Sequence, residues 1–254
     1  MYTFFKYIKT NYIKGEFKIN RVELKELSKN QLKGHWITPV LLTLTYGVLS
    51  IVLSMLQDEA SSVITIILIF TLIFGLGVFA TVGIPNFYLE FIKKTGSSTF
   101  KDVLVSSNKM IKSLFFTLIL SVVVFITTFI MIFLVTAGTV SFIFSDIALA
   151  GGVALAGIII LVFTILIIIF ELALLLTPYI IIEHDNLSTI EAMSLSIKMM
   201  KGNKWKYFII ELSFIGWAIL SILTFGIGFL WLSPYISLTQ ANFYKDLTYN
   251  NLNG

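Results

Sequence analysis

Four long apolar runs, at residues 37–56, 63–79, 114–135 and 158–182, decide what this chain can fold into. A bilayer core of about 30 Å needs roughly 20 helical residues to cross it at about 1.5 Å each. In lipid the backbone must satisfy its own hydrogen bonds, so such runs are expected to be helices. A β-barrel would need short alternating segments, and these do not alternate. The remaining sequence cannot rescue a water-soluble globule. Only 13% of the 254 residues are charged, about half the share of a soluble domain. The expected class is all-α, a polytopic membrane helix bundle.

Positive charge sets the topology, because Lys and Arg near span ends stay cytoplasmic. Residues 1–36 hold eight basic residues, 92–112 hold five and 183–206 hold four. The connections 57–62 and 138–152 hold none, only Asp58, Glu59 and Asp146. The first 36 residues contain no apolar signal core, so the first run is expected to act as its own insertion signal. The N-terminus then lies inside, in the cytoplasmic membrane of a bacterium. An AT-rich bacterial genome would suit the 17 Lys against one Arg, Arg21.

The last third has two solutions. Residues 207–232 form one long tilted helix, or Phe225, Gly226, Ile227 and Gly228 turn between two short spans at 207–224 and 229–244. Glycine marks turns, and the second solution returns Lys245 to the cytoplasm. It gives about six spans with the C-terminus inside.

A repeat runs through the Lys-rich segments. Each carries an acid, a Ser five residues on, a Lys ten on and a small residue eleven on. The copies are Glu23, Ser28, Lys33 and Gly34; Asp102, Ser107, Lys112 and Ser113; and Glu191, Ser196, Lys201 and Gly202. Pro85, Pro178 and Pro234 fall late in the second helix of each proposed hairpin. The unit reads as a cytoplasmic amphipathic helix, a span, an external turn and a Pro-containing span. Units cover about 21–92, 93–183 and 184–247 of one transmembrane domain, 21–254, after a basic and aromatic extension at 1–20. In the second leading helix Phe100, Val103, Leu104, Ser107, Met110 and Ile111 fall at helical spacing. Ser98 or Thr99, and Ser188 or Thr189, are N-caps.

Short stretches resemble a known family: RVELK at 21–25, QLKGHW at 31–36, SIKMMKGN at 196–203, FIGW at 214–217, LTFGIGFLWLSPY at 223–235, and Phe243 with Tyr244. The sequence is similar over about 21–247 to the uncharacterised bacterial integral-membrane family called domain of unknown function 975. The resemblance implies an inserted helical fold and carries no catalytic residue with it.

Glu171 is the sharpest functional candidate. It interrupts the apolar run seven residues before Pro178, where the other two copies have Val78 and Ile227. A mid-bilayer acid costs roughly 2.5–3.5 kcal/mol on insertion scales and marks a site unless it is hydrogen-bonded packing. Pro85, Pro178 and Pro234 remove backbone donors and either kink helices around a central space or only shape packing. Glu90 and Glu211 are expected to face headgroups or to pair with Lys93, Lys94 or Lys206. His184, Asp185 and the distant His35 do not make a metal site. Gly75, Gly77 and Gly83 form a small-residue face for close helix packing. Trp36, Trp205, Trp217 and Trp231 suit membrane interfaces.

The chain lacks cysteine, a Gly-rich phosphate loop, a nucleophile elbow, an HExxH pair and paired carboxylates. No cofactor and no enzyme activity are expected. The basic N-terminal segment, with Phe4, Phe5, Tyr7 and Tyr12 among its Lys, points to anionic lipid headgroups rather than nucleic acid. The expected function is binding of a lipid, a peptide or a partner membrane protein. The alternative is a small transporter using Glu171 and Pro-kinked helices.

Overall fold

The computed structural model describes residues 21–59, 61–144 and 149–252, with side-chain surroundings given except at 138–156 and 250–252. The N-terminal extension and the acid-bearing turn around Asp146 lie outside the described residues. Within them the chain forms ten α-helices, one 3-10 turn and no strand. We number them α1 (Arg21–Leu32), α2 (Ile37–Asp58), α3 (Val63–Lys93), α4 (Ser107–Phe144), α5 (Leu149–Leu174) and α6 (Thr177–Glu183). There follow α7 (Thr189–Met200), α8 (Lys204–Leu212), α9 (Ile215–Leu223) and α10 (Phe229–Leu252), while Phe100–Val103 make the 3-10 turn.

Among the described residues, five segments are long and apolar enough to cross a membrane: Ile37–Asp58, Val63–Lys93, Ser107–Ala137, Gly157–Glu183 and Lys204–Leu223. The sequence predicts about six. The turn at residues 225–228 forms, with Phe225 at φ 54° and Gly226 at φ 87°, and α9 packs back on α10. Helix α10 has 24 residues, enough to cross, but it is too polar to read as a span by hydropathy. The reason is its position. It packs against α1, α2, α3, α7 and α9, and Leu238, Thr239, Ala241, Asn242, Phe243 and Tyr244 along it are all buried. A helix sheathed by other helices can carry polar groups that a lipid-facing helix cannot.

The leading helices are not alike. Helices α1 and α7 each have 12 residues. After each comes a Lys and then a left-handed glycine, Gly34 at φ 86° and Gly202 at φ 80°. Such a glycine ends a helix at no steric cost. In the second copy the corresponding residue is Ser113, which lacks that freedom, and α4 runs straight through it from Ser107. The expected amphipathic helix at 100–111 is therefore absent. Residues 100–103 make a 3-10 turn, Leu104 is extended, and Ser107 to Lys112 are the first turns of the span itself.

The core lies at the Lys-rich end. Buried residues crowd the C-terminal part of α3, all of α6, and the inner faces of α1, α7 and α10. Among the described residues, the parts of α2, α4 and α5 away from that end, such as Leu56, Phe133 and Ile158, are exposed.

Of the expected small-residue face, only Gly83 meets a neighbour. A Cβ there would sit 2.9 Å from Val103 Cγ1 and 3.0 Å from its carbonyl oxygen, whereas Gly75 and Gly77 face open space. Gly83 is thus what lets the 3-10 turn press onto α3. Gly83→Ala should lower stability by about 1–3 kcal/mol through overpacking. Gly75→Ala should be neutral or slightly stabilising, as Ala favours helix. Thermal unfolding in detergent separates the two.

Candidate functional site

The polar residues of α10 fix it to its neighbours at two joints. At the first, Asn242 Nδ2 donates to Ser28 Oγ at 2.9 Å and to Gln31 Oε1 at 2.7 Å, while Ser28 Oγ donates to the Leu24 carbonyl at 2.9 Å. Seven residues earlier, the Tyr235 hydroxyl donates to the Lys25 carbonyl at 3.1 Å. Helix α1 is thereby stapled lengthwise to α10 through residues 25 to 31. At the second joint, Glu183 accepts from the Tyr244 hydroxyl at 3.1 Å and pairs with Lys245. The Tyr244 ring stacks on Tyr179 with centroids 5.2 Å apart.

Beside the first joint, Lys25 reaches from α1 to the fifth apolar segment. Lys25 Nζ donates to Ser213 Oγ at 2.9 Å and lies 4.4 Å from the centroid of the Phe214 ring. Ser213 is the tenth residue of the 20-residue segment Lys204–Leu223. By length it is the midpoint of that segment. It is also where the helix breaks, since α8 ends at Leu212 and α9 starts at Ile215. Ser213 Oγ turns back to donate to the Ile210 carbonyl at 2.6 Å. Phe214 is buried edge-on against Tyr235, with centroids 5.1 Å apart. Lys25 belongs to a basic edge formed by Arg21, Lys25 and Lys29 of α1 and by Lys33 just after it, at four-residue spacing. Residues four apart are neighbours on a helix surface. Among the described residues, none of these four is in a salt bridge.

The residues singled out from sequence are distributed differently. Glu171 is exposed on α5 and joins no cluster. One turn after it, the helix is interrupted at Leu175 and Leu176, with Pro178 opening α6. Ser196 bridges that interruption from α7. Its Oγ donates to the Ala173 carbonyl at 2.8 Å and accepts from the Leu176 N–H at 3.2 Å. Pro85 lies inside α3 and Pro234 inside α10, and neither helix is broken there.

Of the motif serines, Ser28 and Ser196 are buried connectors, whereas Ser107 is exposed at the start of α4. Lys112 donates to the Asp185 carbonyl at 2.7 Å, while Lys33 and Lys201 are exposed and Glu23 sits on the outer side of α1. Glu90 pairs with Lys93, and Glu211 accepts from Tyr207 rather than from Lys206. Among the described residues no group of three or more His, Asp or Glu could hold a metal ion.

Asp102 and Glu191 are cap residues, facing Thr99 and Ser188 in capping boxes. The Ser188 N–H and hydroxyl hold the Glu191 carboxyl below its ordinary pKa. Burial alone would raise that of Asp102, but Lys94 and the Thr99 N–H outweigh it and bring the value down. Lowered carboxyl values stabilise the fold above the ordinary pKa, and that stability is lost as pH falls through the lowered value. Unfolding midpoints should therefore drop as pH falls through and below the ordinary carboxylate range. Glu191→Gln should flatten part of that drop.

Ser196→Ala leaves a buried N–H and carbonyl unpaired and should cost about 1–3 kcal/mol. Ser107→Ala should cost nearly nothing.

Lys25, Ser213, Tyr235 and Asn242 were missed in the sequence, although the four-residue basic spacing and the polar run 237–242 were their signals. No curated protein and no solved structure matches the chain. The family described as Protein of unknown function (DUF975) matches residues 19–251, so this all-helical chain belongs to DUF975.

Proposed function

We propose that this is a non-enzymatic protein of the bacterial cytoplasmic membrane that binds a lipid, a peptide or a partner membrane protein within the bilayer. Both ends of the chain lie in the cytoplasm, and α10 completes three hairpins that descend from one repeated unit. The shared Lys and left-handed Gly after α1 and α7 support the repeat. The alternation of Lys-rich and Lys-free connections supports the orientation. Lys at the cytoplasmic end contact anionic headgroups.

One observation carries the binding function. The chain concentrates its packing at the Lys-rich end and leaves α4 largely bare over residues 125–137: Phe125 is 72% exposed and Phe129 64%. Exposed apolar surface on this scale marks an interaction site or lipid contact, and a discrete occupant separates the two. Photoreactive phenylalanine analogues placed at 125 and 129 in native membranes should give a discrete adduct of one mass. The buried position Phe116 should give none. A yield that merely tracks bulk lipid composition would contradict the proposal.

The transporter alternative is favoured by the interruption in α5–α6 one turn after Glu171, since broken helices line many transport sites. Under it, Glu171→Gln abolishes pH-dependent flux in proteoliposomes. Unaltered flux removes the carboxyl from any mechanism.

A further inference from the structure

We infer that the turn at residues 225–228 ends inside the hydrocarbon of the membrane, short of its far side, and that its apolar tip contacts lipid acyl chains. The hairpin of α8, α9 and α10 is then re-entrant, entering and leaving on the Lys-rich side. This placement requires only that the apolar segments cross a membrane, and is independent of the binding function proposed above.

Limb length is the constraint. Lys245 pairs with Glu183, beside which His184 and Asp185 are exposed. Lys109 and Lys112 reach Asp185 from α4. Charges of three elements thus share one level and mark an edge in contact with water, since charge in hydrocarbon is costly. Sixteen residues separate Phe229 from Lys245 and lift α10 by at most about 24 Å. The other limb, from the exposed Lys206 to Thr224, rises by at most about 27 Å, and the break between Leu212 and Ile215 shortens it. Both fall short of a core of about 30 Å, and any tilt lowers them further. The first hairpin differs. Helix α3 has 31 residues, about 46 Å at full height, and its turn carries the exposed Asp58 and Glu59. Glycine marks a turn at 225–228 but says nothing of its height, and the limbs are too short for the external position read from sequence.

The turn also suits a medium without water. No charged residue occurs from 212 to 244. Phe225 is 98% exposed and holds the left-handed backbone that a bulky residue rarely takes. The exposed tip continues the outer face of α9, where Trp217, Leu220 and Leu223 are exposed on a segment apolar enough to cross, so one medium covers both. Lipid requires the backbone to occupy its own donors, and here it does. The Phe225 N–H donates to the Ile222 carbonyl at 3.0 Å, Gly226 to Ser221 at 3.0 Å and Ile227 to Thr224 at 3.2 Å. The Gly228 N–H donates to Thr224 Oγ1 at 3.0 Å. Even the first N–H groups of α10, which a helix ordinarily leaves free, are taken by the carbonyls of Gly226, Ile227 and Gly228. Gly228 permits this closure, because a Cβ there would fall 2.7 Å from Ser221 Cα on the opposite limb. The hydroxyls of Ser221 and Thr224 donate to carbonyls of their own limb.

Two measurements test the placement. With the wild-type chain in nanodiscs, a phospholipid bearing a diazirine at the end of an acyl chain should label residues 225–229. A phospholipid bearing it on the headgroup should label residues 57–62 and leave 225–229 unlabelled. In sealed vesicles the chain, which has no cysteine of its own, accepts single thiols. Glu59→Cys should react with a membrane-impermeant maleimide from the far side. Phe225→Cys should react from neither side, and only once detergent is added. Headgroup adducts at 225–229, no acyl-chain adduct there, or reaction of Phe225→Cys in intact vesicles would each overturn the placement. Because the lipid probes use the wild-type chain, the result holds even if Phe225→Cys folds poorly.

Discussion

A polar helix can sit inside a membrane bundle only if its donors and acceptors find partners there. Helix α10 meets that condition, and the arrangement around it follows. Asn242 directs both amide hydrogens to α1, Tyr235 holds the α1 backbone, and Tyr244 with Lys245 holds Glu183 at the end of α6. Each bond is worth about 1 kcal/mol net, but leaving any of these groups buried and unpaired would cost more. The consequence is specificity. Apolar faces of similar size can slide past each other, whereas these joints admit one register for α1 and one for α6.

The same condition explains why the bundle is asymmetric. Side chains that need partners cluster at the Lys-rich end, and so do the buried aromatics Phe87, Tyr88 and Phe91. The stretches 48–56, 114–136 and 158–170 of α2, α4 and α5 are mainly Ile, Leu, Val and Phe, and lipid satisfies those without help from a neighbouring helix. Their hydroxyls need no neighbour either, since Thr127, Thr136 and Thr164 each donate to their own helix. A bundle of this kind is tight where it is polar and open where it is greasy.

Much of this was legible in the residues. Hydropathy alone places α2, α3, α4 and the long segment 157–183, because lipid-facing helices must be apolar throughout. Left-handed glycines at 34, 202 and 226 mark ends that are real breaks. What misled was the assumption that similar spacing gives similar structure. Asp102, Ser107 and Lys112 match the motif, yet Ser113 in place of a glycine lets the helix continue, and the second leader is lost. The candidate site was harder still. Lys25 reads as one more cytoplasmic Lys, and nothing local to it announces that Ser213, 188 residues later, lies against it. Glu171 drew attention because it breaks an apolar run, but a run records only the chain's own sequence, whereas burial depends on which helices come alongside.

The most direct measurement concerns the docking of α1 on α10. The chain has no cysteine, so Ser28→Cys with Asn242→Cys gives a pair without background. In native membranes the two thiols should oxidise rapidly to an intramolecular disulfide and resist a membrane-impermeant maleimide. If the thiol at position 28 instead labels freely and no disulfide forms under oxidant, α1 lies away from α10, and the polar joint between them is contradicted.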